Sequence, residues 1–341
     1  MTKVFVGMSG GVDSSLSAAL LREQGYDVTG VYMKNWTQDL PGMRCPWADD
    51  LADAKRVAVQ LGIDLLVFDF EQDYRQKVVE YMIEEYRLGR TPNPDIMCNQ
   101  EIKFKLFVET ALERGADLVA TGHYARTEHG QLLQAKDQNK DQTYFLYRVT
   151  KPVLEKTLFP LGEYTKPEVR RLAEARGLYT AGKKDSQGIC FVGQVGIREF
   201  LGQYVQTQPG DIIDQTRGVV LGRHDGAIFY TLGQRHGLNL GGGLPYYVTG
   251  KDMARNEVYV STDLNDGSLW RNEIELNDIH WIAGQAYEGP VQARIRHRAS
   301  LVGGSVDGSK VHLDEAQRAV ASGQSVVLYN GEVCLGGGIV T

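Results

Sequence analysis

The chain has 341 residues, 42% of them hydrophobic and 23% charged, and carries a formal net charge of −6. That length and composition bury a sizeable core in two or three domains and exclude a disordered polymer. The negative balance excludes a uniformly basic nucleic-acid coat but leaves room for a local basic strip, and no apolar run approaches the roughly 18 residues of a membrane helix.

The first residues read as a strand entering a loop. They lack the basic and then apolar pattern of a secretory signal, so the cytosol is the expected location. A short strand over 4–7 leads to a helix over 13–24, with Leu16, Ala19 and Leu20 on its apolar face and Gly25 placed to end it. A strand over 28–33 precedes a helix over 50–61, whose Leu51, Ala54, Val57, Ala58 and Leu61 share one face. A strand over 65–70 and a helix over 73–87 follow. Pro92 and Pro94 then predict a loop over 91–99, before a helix over 104–114 and a strand over 117–121. Strands alternating with helices predict a doubly wound parallel sheet, which takes ligands at the carboxyl ends of its strands.

One more helix is expected over 166–176, with Pro167 in its first turn. From about residue 205 the text turns to short strands broken by glycine: 218–221, 228–231, 246–248, 258–260, 291–298, 310–313, 325–329 and 333–335. The expected fold class is α/β: a doubly wound parallel-sheet domain over 1–203, then two small β-rich, barrel-like domains over 204–262 and 263–341.

Ser9-Gly10-Gly11-Val12-Asp13-Ser14-Ser15 lies between the first strand and the first helix. Its glycines let N–H groups turn inward, and the helix N-terminus adds partial positive charge, so the stretch reads as an anion nest. Asp13 suits either a helix cap or a ligand to magnesium. No Gly-Lys-Ser/Thr follows, so this is not a Walker loop. It resembles the PP-loop of the ATP pyrophosphatases, which cleave ATP between its α and β phosphates.

The four cysteines are Cys45, Cys98, Cys190 and Cys334, with no C-x-x-C pair and no zinc-like histidine spacing. Cys98 ends the proline-marked segment, and Lys103 and Lys105 are near enough in sequence to favour a thiolate or attract phosphate. Cys190 follows Lys183 and Lys184 between glycines, which suits a mobile, electropositive segment. Cys45 and Cys334 read as packing residues. Asp95 suits either proton transfer or loop capping. Met33 suits either core packing or an adenine contact at a strand end. Read as a strand, 293–298 would put Arg294, Arg296 and Arg298 on one face over about 14 Å, a solvated face or a phosphate track.

Residues 9–15, Met33-Lys34-Asn35-Trp36, 92–99, Thr121-Gly122-His123-Tyr124, Lys140-Asp141-Gln142, 186–191 and 331–339 together resemble, in order, the bacterial tRNA-specific 2-thiouridylase family across essentially the whole chain. The resemblance implies that Cys98 is the nucleophile, that Cys190 carries a persulfide, and that the two form a transient disulfide. It implies ATP, with magnesium, against Gly7, Met8, Ser9, Gly10, Gly11, Val12, Asp13, Ser14, Met33 and Gly122. It implies that Asn93, Pro94 and Asp95 meet the target base, and that His123, Lys140, Asp141, Gln142, Arg296, His297 and Gln324 contact tRNA. The family's target is the wobble uridine in the anticodon loop of tRNAs for lysine, glutamate and glutamine. Its sulfur comes from a cysteine desulfurase or a sulfur-relay protein. Two rival readings are another adenylating enzyme, which needs no pair of reactive cysteines, and a tRNA-binding module that only senses ATP.

Overall fold

The computed structural model of the protein describes residues 1–39, 45–184, 196–241 and 243–341. The strands β1 (Lys3–Gly7), β2 (Asp27–Lys34), β3 (Asp64–Asp69), β4 (Leu118–Ala120) and β7 (Thr157–Leu158) form one parallel sheet in the order β3-β2-β1-β4-β7. Alternation along β1 sends Val4 and Val6 to one face and Phe5 to the other. Val4 and Val6 pack against α1 (Val12–Glu23) and α2 (Trp47–Leu61). Phe5 packs under α3, the helical stretch 71–87, and α4, the stretch 94–113. Helices cover both faces, as the doubly wound reading expects.

A four-stranded sheet follows: β8 (Gly210–Asp214), β9 (Val220–His224), β10 (Tyr247–Asp252) and β11 (Glu257–Ser261). The last fifth or so of the chain is a closed six-stranded barrel. Its strands are β12 (Trp270–Trp281), β13 (Gly289–Arg294), β14 (Val302–Asp307), β15 (Lys310–Arg318), β16 (Ser325–Asn330) and β17 (Val333–Val340), and pairing of β12 with β17 closes the ring. A hairpin from the α/β part, β5 (Arg126–Glu128) and β6 (Gln131–Leu133), adds to β17 and ties barrel to sheet. Among the described residues no helix is long and apolar enough to cross a membrane.

Three local expectations need correction. Residues 228–231 are not a strand; a 3-10 turn occupies Ala227–Phe229. β12 was not foreseen, because only Ile274 and Leu276 of its twelve residues are buried and no apolar run marks it. The strand expected over 291–298 ends at Arg294, so the three arginines do not share a strand face.

Candidate active site

The phosphate-type loop forms where the sequence places it. β1 ends at Gly7, and α1 starts at Val12 with Gly11 as its N-cap. Gly10 adopts φ +74°, and a Cβ there would lie 2.3 Å from the Asp50 carbonyl oxygen, so α2 presses on the loop from one side. Ser14 Oγ accepts from the Ser9 N–H at 3.1 Å and donates to the Gly11 carbonyl at 3.2 Å. Ser15 Oγ donates to the same carbonyl at 2.8 Å. The loop folds on itself over the N-terminus of α1, which is the geometry of an anion nest.

Met8 and Val12 are buried in the core, so only their backbone groups are left for a ligand. A Cβ on Gly7 would touch Met33 Cε at 3.0 Å, and one on Gly122 would meet the Ser14 nitrogen at 2.8 Å. Met33 and Gly122 therefore flank the loop. Asp13 does not cap the helix. Its carboxylate accepts from Lys166 Nζ at 2.7 and 2.8 Å and from the Tyr124 hydroxyl at 2.8 Å. Sequence reasoning missed Lys166, which comes from 153 positions away. Its one local signal is the Thr165–Glu168 capping box, which starts the helix α5 (Lys166–Ala175).

The proline-marked segment is helical rather than a loop. Asn93 is the N-cap, its side chain accepting from the Asp95 N–H at 3.2 Å, and Pro94 takes the N1 position, where a missing N–H costs nothing. The stretch runs through Pro94–Met97, widens to π-type winding over Cys98–Leu106 and tightens again over Phe107–Glu113. Such widening recurs at functional sites. Cys98 is buried in one cluster with Val31, Trp36, Cys45, Ile102 and Phe107, against which Met33 also packs.

Asn93 takes the capping role, so Asp95 is not the cap. Burial pushes the Asp95 carboxyl above its ordinary range, with Lys103 pulling the other way. Lys105 pairs with Glu101 at 3.1 Å, and the charge of Lys103 acts on Asp95 and His123. Cys190 lies outside the described residues. Lys183, at the near end of that segment, binds Asp50 and Asp53 at 2.7 Å each. Cys45 and Cys334 are buried, and burial raises both thiols, which fits packing roles.

The residues expected at the nucleic acid divide. The His123 ring packs in a three-ring cluster with Phe104 and Phe159, with Nδ1 2.8 Å from Thr121 Oγ1, and burial drives its pKa well below the usual value. Asp141 is 2% exposed and accepts from Arg294 at 2.7 Å and from the Thr143 hydroxyl at 2.8 Å. Gln142 Oε1 accepts from the Tyr124 N–H at 2.9 Å, and Gln324 Nε2 donates to the Thr91 carbonyl at 2.6 Å. His123 and Asp141 are buried and Gln142 and Gln324 half-buried, and each of the four side chains bonds within the chain. Arg294 is buried with Asp141, which breaks the expected arginine strip. Arg296 is exposed, and Lys140 and His297 are half-buried, His297 lying 4.4 Å from the Phe145 ring.

Three family models match the chain: "tRNA methyl transferase HUP domain" over residues 2–194, "tRNA methyl transferase PRC-barrel domain" over 198–262 and "Aminomethyltransferase beta-barrel domain" over 271–340. A tRNA-specific 2-thiouridylase MnmA 2 of Geobacillus kaustophilus is 48% identical, the match covering 99% of this chain and 94% of that one. The tRNA-specific 2-thiouridylase MnmA of Bacillus subtilis is 47% identical over 99% of this chain and 95% of its own. A solved U34-tRNA thiolase of Methanococcus maripaludis, 19% identical, overlaps 55% of this chain and 61% of its own at a TM-score of 0.39, a likeness too loose to bear on the chemistry.

Proposed function

The chain belongs to the tRNA-specific 2-thiouridylase family, and from that premise we propose that it adenylates O2 of the wobble uridine in tRNA and replaces that oxygen with sulfur. The observation that carries the reading is the pairing of a nest with a buried cysteine: Met33 packs on Gly7 beside the nest and also on the cluster that holds Cys98.

The chemistry needs both parts. Uridine O2 is a poor leaving group. Attack of O2 on the α-phosphate of ATP breaks the α–β bond, releases pyrophosphate, and makes O2 leave later as AMP. The nest and the helix N-terminus fit the triphosphate. Magnesium would arrive on the ATP phosphates and would need only one or two protein carboxylates; Asp13, paired with Lys166, is a carboxylate beside the nest that would hold it. The terminal sulfur of a Cys190 persulfide then bonds to C2, and AMP departs with the oxygen. The Cys98 thiolate cuts the remaining S–S bond, which releases 2-thiouridine and leaves a Cys98–Cys190 disulfide for an external thiol to reduce. Asp95, with its raised pKa, serves proton transfer at the base. Arg296, with the half-buried Lys140, Gln142, His297 and Gln324, serves contact with tRNA, and the base leaves its stack cheaply from a single-stranded anticodon loop. A cysteine desulfurase or relay protein charges Cys190.

The matching models' descriptions speak of methyl transfer, which requires no ATP cleavage. Incubating the protein with unmodified glutamate tRNA and labelled ATP separates the two. Release of AMP and pyrophosphate that depends on tRNA supports adenylation. A methyl group acquired from S-adenosylmethionine without ATP cleavage would replace it.

A further inference from the structure

Residue Thr91 meets all three parts of the molecule. Its N–H donates to the Ser322 carbonyl at 2.9 Å, and its carbonyl accepts from Gln324 Nε2 at 2.6 Å. Its hydroxyl lies 3.1 Å from the hydroxyl of Thr231. Both backbone polar groups of Thr91 are therefore held by the 322–324 turn that precedes β16, and its side chain is held from the central domain. The turn is itself fixed, since Gly323 N–H donates to the Val340 carbonyl at 2.9 Å and Val340 N–H to the Gln324 carbonyl at 2.8 Å. Gly323 has φ +86°, and a Cβ there would sit 2.8 Å from the Thr91 nitrogen, so the contact is backbone against backbone.

The segment between Thr91 and the helix is stiff. Pro92 is buried and Pro94 opens the helix. Each ring fixes its own φ and restricts the residue before it, so residues 91–94 have few soft torsions. Displacement at Thr91 passes directly to the Asn93 cap and the helix start, and so to Cys98.

We propose that Gln324 is a positioning residue for Cys98, and that the 322–324 turn of the C-terminal domain sets where the Cys98 helix begins. This rests on the thiouridylase reading for the reaction it serves, but not for the contact itself. An amide lost there leaves the Thr91 carbonyl without its donor and loosens the strut, and catalysis is sensitive to small misplacements of reacting groups.

The test uses the full-length protein and two variants. Gln324→Met keeps the side chain's length and removes the donor. Gly323→Ala leaves the amide in place and pushes on Thr91 from the same side. Two readouts are taken under reducing conditions: thiolation kinetics with glutamate tRNA, and the rate of iodoacetamide alkylation at each cysteine by mass spectrometry. The proposal expects kcat to fall about tenfold in both variants with the KM for tRNA within about twofold. It also expects Cys98 to alkylate several-fold faster while the buried Cys45 and Cys334 do not change. Unchanged Cys98 alkylation with a raised KM and steady kcat would overturn it in favour of a nucleic-acid contact. Faster Cys98 alkylation in a protein that thiolates no tRNA would support the tie and overturn the thiouridylase reading alone.

Discussion

The serine hydrogen bonds that fold the loop at 9–15 join residues no more than five apart, with Asp13 reaching out to Tyr124 and Lys166, whereas the helix of Cys98 and the segment that leads into it are held by partners from 46 positions away at Phe145 to 233 at Gln324. The fold of the first site is mostly local: glycine at a left-handed φ, serines that bond inward, a helix that starts at once, with α2, Gly122 and Lys166 packed around it. The second exists only when the sheet, the central domain and the barrel have met. Arg148 shows the same dependence, since it bonds Gln100 on the Cys98 helix and Asp278 on β12 at 2.8 Å. One active site thus combines a mostly local half with an assembled half, and ATP binding should survive damage that misplaces the thiol.

The comparison can be broken from either side. Cys98→Ser should lower thiolation about a thousandfold or more while leaving ATP affinity within about twofold, because the nest does not involve residue 98. Substantial residual thiolation would show that another group does the work. Arg294→Met strikes the assembled half from a distance: it leaves Asp141, whose side chain is fully buried, without its cation. The cost in urea unfolding should be about 3–5 kcal/mol, and an unchanged midpoint would show that the pair does not hold the barrel to the sheet. Gly10→Ala strikes the local half, since its Cβ would lie 2.3 Å from the Asp50 carbonyl. A loss of about 1–3 kcal/mol in stability and weaker ATP binding are expected, with Cys98 alkylation unchanged. Altered Cys98 reactivity in that variant would erase the distinction between the halves.

The smallest effect concerns Asp95, whose folded-state pKa is raised by burial. A raised carboxyl favours the fold only at low pH, and that contribution is lost as pH rises through the raised pKa. Asp95→Asn should therefore melt higher than the parent at neutral pH, and the gap should close as pH falls to about 4. A gap that is constant with pH would show that charge is not its cause. The same variant should lose activity, which marks a residue kept at a cost to stability.

Legibility in the sequence followed the same division. The alternation of strands and helices and the nest at 9–15 were readable because period, glycine placement and helix start are local signals. The helix at Pro94 was misread because a proline bars a helix interior but suits its first position, and only the Asn93 cap tells the two apart. The arginine strip failed because residue spacing says nothing about a buried partner such as Asp141. Lys166 was invisible for the same reason: nothing near it in sequence points to Asp13. The hairpin β5–β6, which joins a sheet formed by the C-terminal barrel, carries no local mark of that pairing.

The most direct test of the account is nucleoside mass spectrometry of an unmodified glutamate tRNA transcript incubated with this protein, ATP, magnesium, and a cysteine desulfurase with cysteine as the persulfide source, beside the Cys98→Ser variant. The account predicts 2-thiouridine at the wobble position that requires ATP and is lost in the variant. Cleavage of ATP to AMP and pyrophosphate with no thiolated nucleoside would contradict it and point to another adenylated substrate.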